Sequence, residues 1–223
     1  MREFHPDQLG LYVLTSANLV PDRSHRDVAH AAIEGGATTV QLRAPELADD
    51  DLLSLAREIA SWCREAGVLF ILNDRVEVAV KTDSGGVHLG QGDELDGARE
   101  RLGSDRVLGI SVEDAEQARA ASELAADYVA VTVWSTDTKP EAIPHGPQGV
   151  RRVARATALP VVAIGGIDAG NAAEVLDAGA VGIAVVSAVG AAADPVAATR
   201  ALRDVIEEHR RKGSPRARAE TAR

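Results

Sequence analysis

Arg43, Asp74, Asp93, Ser111 and Lys139 are the side chains best suited to chemistry, and each stands at or just beyond the end of a short apolar run. Arg43 closes Thr39-Val40-Gln41-Leu42-Arg43, and Asn73-Asp74-Arg75 closes Val68-Leu69-Phe70-Ile71-Leu72. Gln91 and Asp93 follow Gly86-Val87-His88-Leu89-Gly90, and Ser111 ends Val107-Leu108-Gly109-Ile110. Thr136-Asp137-Thr138-Lys139 follows the run over 128–133, and Gly165-Gly166 follows that over 160–164. Two carboxylates in adjacent loops could hold Mg²⁺, which takes hard oxygen ligands and commonly bridges protein acids to phosphate oxygens. Arg43 offers phosphate a two-pronged fork, and Lys139 a point charge. The hydroxyls of Thr136 and Thr138 flank a turn beside Lys139. Gly165-Gly166 and Val186-Ser187 fit a phosphate cradle built of backbone N–H groups.

Taken singly, Asp74 reads as a helix cap, Asp93 as a turn residue and Lys139 as a solvated charge. Their clustering favours ligand binding. Together they suggest one substrate with a diphosphate and another with a monophosphate. No Ser-His-Asp arrangement, glycosidase-type acid pair or P-loop is evident. His88 lies within a run and reads as an interior residue rather than a catalyst.

The elements that must position these residues alternate along the chain. Runs rich in Val, Ile and Leu occur over 11–15, 38–42, 68–72, 86–89, 107–111, 127–133, 160–164 and 181–186. Such short continuous runs suit strands buried on both faces. Between several of them lie stretches with helical spacing, as in Leu52, Leu55 and Ile59, or Ala115, Ala118 and Ala121. Glu34-Gly35-Gly36-Ala37, Glu65-Ala66-Gly67-Val68 and Asp177-Ala178-Gly179-Ala180 each end a helix with glycine just before a strand. Eight strand candidates predict a (β/α)8 barrel rather than an open doubly wound sheet, which usually has five or six strands. In such barrels ligands gather at the C-terminal strand ends. The polar strand-end residues are therefore expected to share one mouth. One domain is expected over 1–209, followed by a basic, disordered tail over 210–223.

Composition narrows the function further. The 223 residues carry a net charge of −10, with only two Trp, two Tyr and two Phe, so the core must be aliphatic. Arg210, Arg211, Lys212, Arg216, Arg218 and Arg223 against Glu220 give the tail +5, leaving −15 on the body. An acidic body argues against nucleic acid as the main ligand. The single cysteine, Cys63, excludes an internal disulfide and a zinc cluster, and its helical surroundings indicate packing. No membrane-spanning run and no signal-like N-terminus is present, so a cytoplasmic protein is expected. The sequence leaves homo-oligomerisation open.

Seven ordered segments resemble the thiamine phosphate synthase family: Gln41-Leu42-Arg43, Asn73-Asp74-Arg75, Gly86-Val87-His88-Leu89-Gly90-Gln91-Gly92-Asp93, Gly109-Ile110-Ser111, Thr136-Asp137-Thr138-Lys139, Ala163-Ile164-Gly165-Gly166-Ile167 and Val185-Val186-Ser187-Ala188. The resemblance runs from about Leu11 to Leu202. It implies a barrel that joins 4-amino-2-methyl-5-hydroxymethylpyrimidine diphosphate to 4-methyl-5-(2-hydroxyethyl)thiazole phosphate, releasing pyrophosphate. Carried over by motif, Asp74 and Asp93 bind Mg²⁺. Gln41, Arg43, Asn73, Ser111 and Lys139 hold the pyrimidine diphosphate, with Arg43, Ser111 and Lys139 catalytic. Thr136, Thr138, Gly166, Val186 and Ser187 hold the thiazole phosphate.

The chain departs from the family pattern in three places. Ala44-Pro45 replaces the Glu-Lys that usually follows Gln-Leu-Arg, removing one cation. Glu113 stands where the family often has His. Val131-Thr132-Val133-Trp134-Ser135 replaces a Gly-Pro and aromatic-Pro pattern, with Trp134 placed either to stack on a ring or to fill the rim. These changes motivate two alternatives: a non-catalytic barrel that binds thiamine or thiazole phosphate, and a thiazole tautomerase-like isomerase.

Overall fold

The computed structural model describes residues 4–213 apart from 18, 83, 91, 138, 139 and 141. Eight strands follow one another around a closed barrel: β1 (Leu11–Thr15), β2 (Thr39–Leu42), β3 (Leu69–Asn73), β4 (Gly86–Leu89), β5 (Val107–Ser111), β6 (Tyr128–Thr132), β7 (Val161–Ile164) and β8 (Gly182–Val185). All neighbours are parallel, and β8 pairs with β1 to close the ring. The expected (β/α)8 barrel is therefore present, with strand bounds within a residue or two of the apolar runs.

The runs are continuous because both strand faces are covered. On β1, Leu11 and Val13 pack into the layer between strands and helices, whereas Tyr12 and Leu14 point into the barrel. The interior layer also takes Leu69, Ile71, Val107, Tyr128, Ala130, Val162 and Ala184. Asn73, His88, Gly109 and Tyr128 are successive register partners from β3 to β6. Gly109 is required here by space: a Cβ would lie 2.1 Å from the Tyr128 ring.

The outer layer comprises α1 (His25–Glu34), α2 (Asp49–Ala66), α3 (Val76–Lys81), α4 (Ala98–Leu102), α5 (Ala115–Glu123), α6 (Gly146–Ala156), α7 (Ala172–Asp177), α8 (Ser187–Gly190) and α9 (Pro195–Gly213). Local chemistry starts and stops them. Ser24 and Asp27 form a reciprocal capping box on α1. Asp114 caps two N–H groups of α5, and three aspartates lead α2, where the helix dipole favours negative charge. The glycines expected to end helices take left-handed backbones, with φ of 91° at Gly36, 71° at Gly67 and 109° at Gly179. Cys63 is fully buried in the core, as a packing residue should be.

The C-terminal boundary differs from expectation. Arg210, Arg211 and Lys212 form the last turn of α9, which ends at Gly213, rather than starting a disordered tail. Basic residues complement the negative end of a helix dipole. In addition, Lys212 lies 2.7 Å from Glu208 and Arg210 lies 3.4 Å from Asp7. Residues 214–223 lie outside the described residues. Among the described residues no helix is long and apolar enough to cross a membrane.

Candidate active site

The barrel brings the strand-end residues together. Gln41, Arg43, Asn73, Ser111, Thr136, Gly166, Val186 and Ser187 line one cavity over the C-terminal strand ends. Beside it, a second opening over β3 to β5 is lined by Arg43, Asn73, Asp74, Asp93, Ser111 and Glu113. Arg43, Asn73, His88 and Ser111 border both. Thr138, Lys139 and Gln91 lie outside the described residues.

The two aspartates are held in different ways. Asp74 is not a helix cap: α3 begins two residues later, with Arg75 at the cap position. Its backbone is left-handed, φ 63°, a conformation Asp tolerates better than most side chains. Its N–H donates to the carbonyl of His88 at 2.9 Å, which fixes the end of β3 against β4. Asp93 does serve its turn. Its Oδ2 accepts the Gly90 N–H at 2.6 Å. Asp93 also lines the opening beside Asp74. Among the described residues, no group of three or more His, Cys, Asp or Glu side chains gathers to hold a metal. Two oxygen donors with room for water and phosphate suit Mg²⁺, which is commonly bound by one or two carboxylates plus substrate.

Arg43 is set by the loop after β2. Its N–H donates to Thr15 Oγ1 at 3.4 Å, and Thr15 Oγ1 also meets His25 Nδ1 at 2.8 Å. His25 Nε2 in turn meets Glu46 Oε1 at 2.7 Å. Burial pushes the Glu46 carboxyl up, but the hydrogen bond from His25, its own backbone N–H and the nearby charges outweigh this and hold it below the usual glutamate range. Ala44 is buried in the core and Pro45 is exposed, so neither places a charge beside Arg43.

Opposite, Gly165 and Gly166 take φ of 94° and 65°. A Cβ on Gly165 would lie 2.8 Å from the Trp134 carbonyl, and one on Gly166 would lie 2.9 Å from Trp134 Cβ. The pair is glycine because the loop after β6 crosses it closely. Trp134 packs on the core and does not line the cavity, so it fills the rim. The first turn of α8 has no capping side chain at Val186, leaving its leading N–H groups to other acceptors.

The cavity floor contains two residues that sequence reasoning passed over, Tyr12 and Tyr128, which line it with His88. Gln41 Nε2 donates to Tyr12 OH at 2.9 Å, and Tyr12 OH meets Tyr128 OH at 3.0 Å. Tyr128 OH meets His88 Nδ1 at 2.9 Å, and His88 Nε2 meets Ser111 Oγ at 3.0 Å. His88 is thus an interior residue, as its place in a run suggests, and also part of the cavity wall. The available signal was a polar or phenolic residue inside an otherwise apolar run.

Comparison with known proteins shows the family. The family profile described as thiamine monophosphate synthase matches residues 11–189. The chain belongs to that family. It is 44% identical over 199 residues to a thiamine-phosphate synthase of Roseiflexus sp. strain RS-1, covering 88% of this chain and 84% of that one. It is 46% identical over 198 residues to that of Chloroflexus aurantiacus, covering 88% and 92%. The solved thiamine phosphate pyrophosphorylase of Pyrococcus furiosus superposes with a TM-score of 0.84 at 37% identity, covering 92% and 98%. A solved 3-hexulose-6-phosphate synthase, at 17% identity and TM-score 0.63, covers 86% and 98% and shares the fold alone.

Proposed function

We propose that this transferase joins 4-amino-2-methyl-5-hydroxymethylpyrimidine diphosphate to 4-methyl-5-(2-hydroxyethyl)thiazole phosphate, giving thiamine phosphate and pyrophosphate. One observation carries this reading. A single cavity unites the Gln41, Arg43, Asn73 and Ser111 group of β2 to β5 with the glycine-lined wall of β7 and β8, in a chain 44% identical to a synthase over most of its length.

Gln41, Asn73 and Ser111 would grip the pyrimidine side, and Arg43 its diphosphate, with Lys139 as a second cation. Gly166, Val186 and Ser187, with the hydroxyls of Thr136 and Thr138, would hold the thiazole phosphate. Mg²⁺ at Asp74 and Asp93 would supply charge neutralisation for the leaving diphosphate. Arg43 stabilises the same negative charge as the C–O bond breaks, and the aminopyrimidine delocalises the methylene cation left behind. The thiazole nitrogen carries no proton, so its attack needs no general base. Positioning and leaving-group electrostatics therefore supply the rate, which accounts for a site rich in phosphate-holding groups and poor in acid–base pairs.

The direct test supplies purified protein with both substrates and Mg²⁺ and measures thiamine phosphate and pyrophosphate. Stoichiometric products are expected. Absence of product where a control synthase turns over would reject the reading. The buried Ala44 and exposed Pro45 beside Arg43 favour the second reading, a barrel that binds these phosphates without turnover. Binding of thiamine phosphate without product formation would select it.

A further inference from the structure

Five polar side chains from five strands meet on the cavity floor, and each has a limited supply of protons. Tyr12 is 2% exposed and Tyr128 fully buried. Burial, above all, pushes both phenols well above the ordinary tyrosine value, so each keeps one O–H. Gln41 Nε2 donates to Tyr12, and three further contacts of 2.9 to 3.0 Å link Tyr12, Tyr128, His88 and Ser111 in series. With a neutral ring at His88, only one assignment makes all four bonds and leaves neither buried phenol proton without an acceptor. Tyr12 donates to Tyr128, Tyr128 donates to His88 Nδ1, and His88 carries its proton on Nε2 and donates it to Ser111. The Ser111 hydroxyl proton is then left for the cavity. At the other end, Gln41 Oε1 is buried and has no partner among the described residues.

We propose that Tyr12, Tyr128 and His88 are positioning residues of a one-way hydrogen-bond relay, which presents an acceptor at Gln41 and a donor at Ser111 and couples the two. The chemistry it selects is a heteroaromatic ligand that donates to Gln41 Oε1, as a ring amino group does, and accepts from Ser111. Reversing the relay at one end must reverse it at the other, although Gln41 and Ser111 share no direct bond. That consequence for binding rests on the function proposed above. The relay itself does not, and it can be read in the ligand-free protein.

The test is the tautomer of His88, read at pH 8 from two-bond ¹⁵N–¹H spectra of protein labelled at its six histidines, with His88→Gln supplying the assignment. The unmodified protein is expected to show the Nε2–H ring. Gln41→Glu introduces a carboxyl that, once ionised as read from its ¹³C shift, is an acceptor that cannot donate to Tyr12. Tyr12 then donates to the new carboxylate, Tyr128 to Tyr12, and His88 to Tyr128, so the ring proton moves to Nδ1. Adding Tyr128→Phe should abolish that response. An Nδ1–H ring in the unmodified protein overturns the proposal, and so does an unchanged tautomer in folded, ionised Gln41→Glu protein. If Gln41→Glu does not fold or does not ionise, the spectrum of the unmodified protein decides alone.

A kinetic readout is independent of the spectra. Ser111→Ala should lower kcat/KM for the pyrimidine diphosphate about tenfold, as expected for one lost hydrogen bond to the ring. In the Gln41→Glu background, where the Ser111 proton already serves His88, the same change should cost almost nothing further. Equal losses in both backgrounds overturn the coupling. Absence of turnover in the unmodified protein would reject the proposed function and leave the tautomer result standing.

Discussion

Gln41 and Asp74 stand near the ends of neighbouring strands and could hardly be treated more differently. Gln41 is 1% exposed and reaches Tyr12, from which bonds run on to Ser111. Asp74 is exposed, on a left-handed backbone, beside the half-exposed Asp93. The floor of the cavity has its geometry fixed by its own hydrogen bonds before any ligand arrives. The rim instead concentrates charge where a cation and a diphosphate can enter from water. A preorganised floor suits recognition of a flat ring with fixed donors and acceptors. An open charged rim suits a leaving group that must be held and then released.

The contrast can be broken most forcefully at the rim. Arg43→Ala should lower kcat by roughly 10²–10³-fold, the usual loss when a donor aimed at developing negative charge is removed, while the thermal midpoint stays within a few degrees. A large fall in stability would instead make Arg43 part of the scaffold. Asp93→Ala should likewise abolish metal-dependent turnover, and activity that survives both this change and chelation would remove Asp93 from the metal site. The floor should respond in the opposite sense. Gly109→Ala drives a methyl into the Tyr128 ring and should destabilise the fold by about 1–3 kcal/mol, measured by urea denaturation. No loss would show that the interior layer yields more than its contacts suggest. Tyr128→Phe removes one oxygen and should cost about 1 kcal/mol of stability, with a larger relative change in kcat/KM.

The smallest effect concerns the brace behind Arg43. The Glu46 carboxyl is held below its ordinary value in the folded chain. The stability this contributes is present above the unfolded glutamate value and is lost as pH falls through the lower folded value. Glu46→Gln should therefore lower stability slightly above about pH 4.3 and leave the two proteins alike at lower pH, which flattens the acid limb of the stability profile. A profile that keeps its slope would assign the acid sensitivity elsewhere.

Much of the rim was legible in the sequence, because Arg43, Asp74 and Gly165-Gly166 interrupt or end apolar runs, and barrel closure sends all strand ends to one side. The floor was less legible for the same geometric reason. Tyr12 and Tyr128 are 116 positions apart, and each looks like an ordinary strand residue until β1 and β6 face each other across the barrel. His88 carried a polar signal, but its partners come from strands whose inward parity only the register reveals. The continuation of α9 through Lys212 was hidden by composition. Arg and Lys in series suggest a solvated tail, yet the same charges favour a helix terminus when Glu208 and Asp7 stand nearby.

Gly109 has a consequence for how this barrel can vary by descent. The space it vacates is filled by a side chain from the next strand, so neither position is free to drift alone. A lineage that gains even a methyl at 109 carries that strain until the ring at 128 is surrendered, and with that ring goes the link between His88 and Tyr12. Sequences in which both positions have changed should therefore lack the bonded series from His88 to Tyr12.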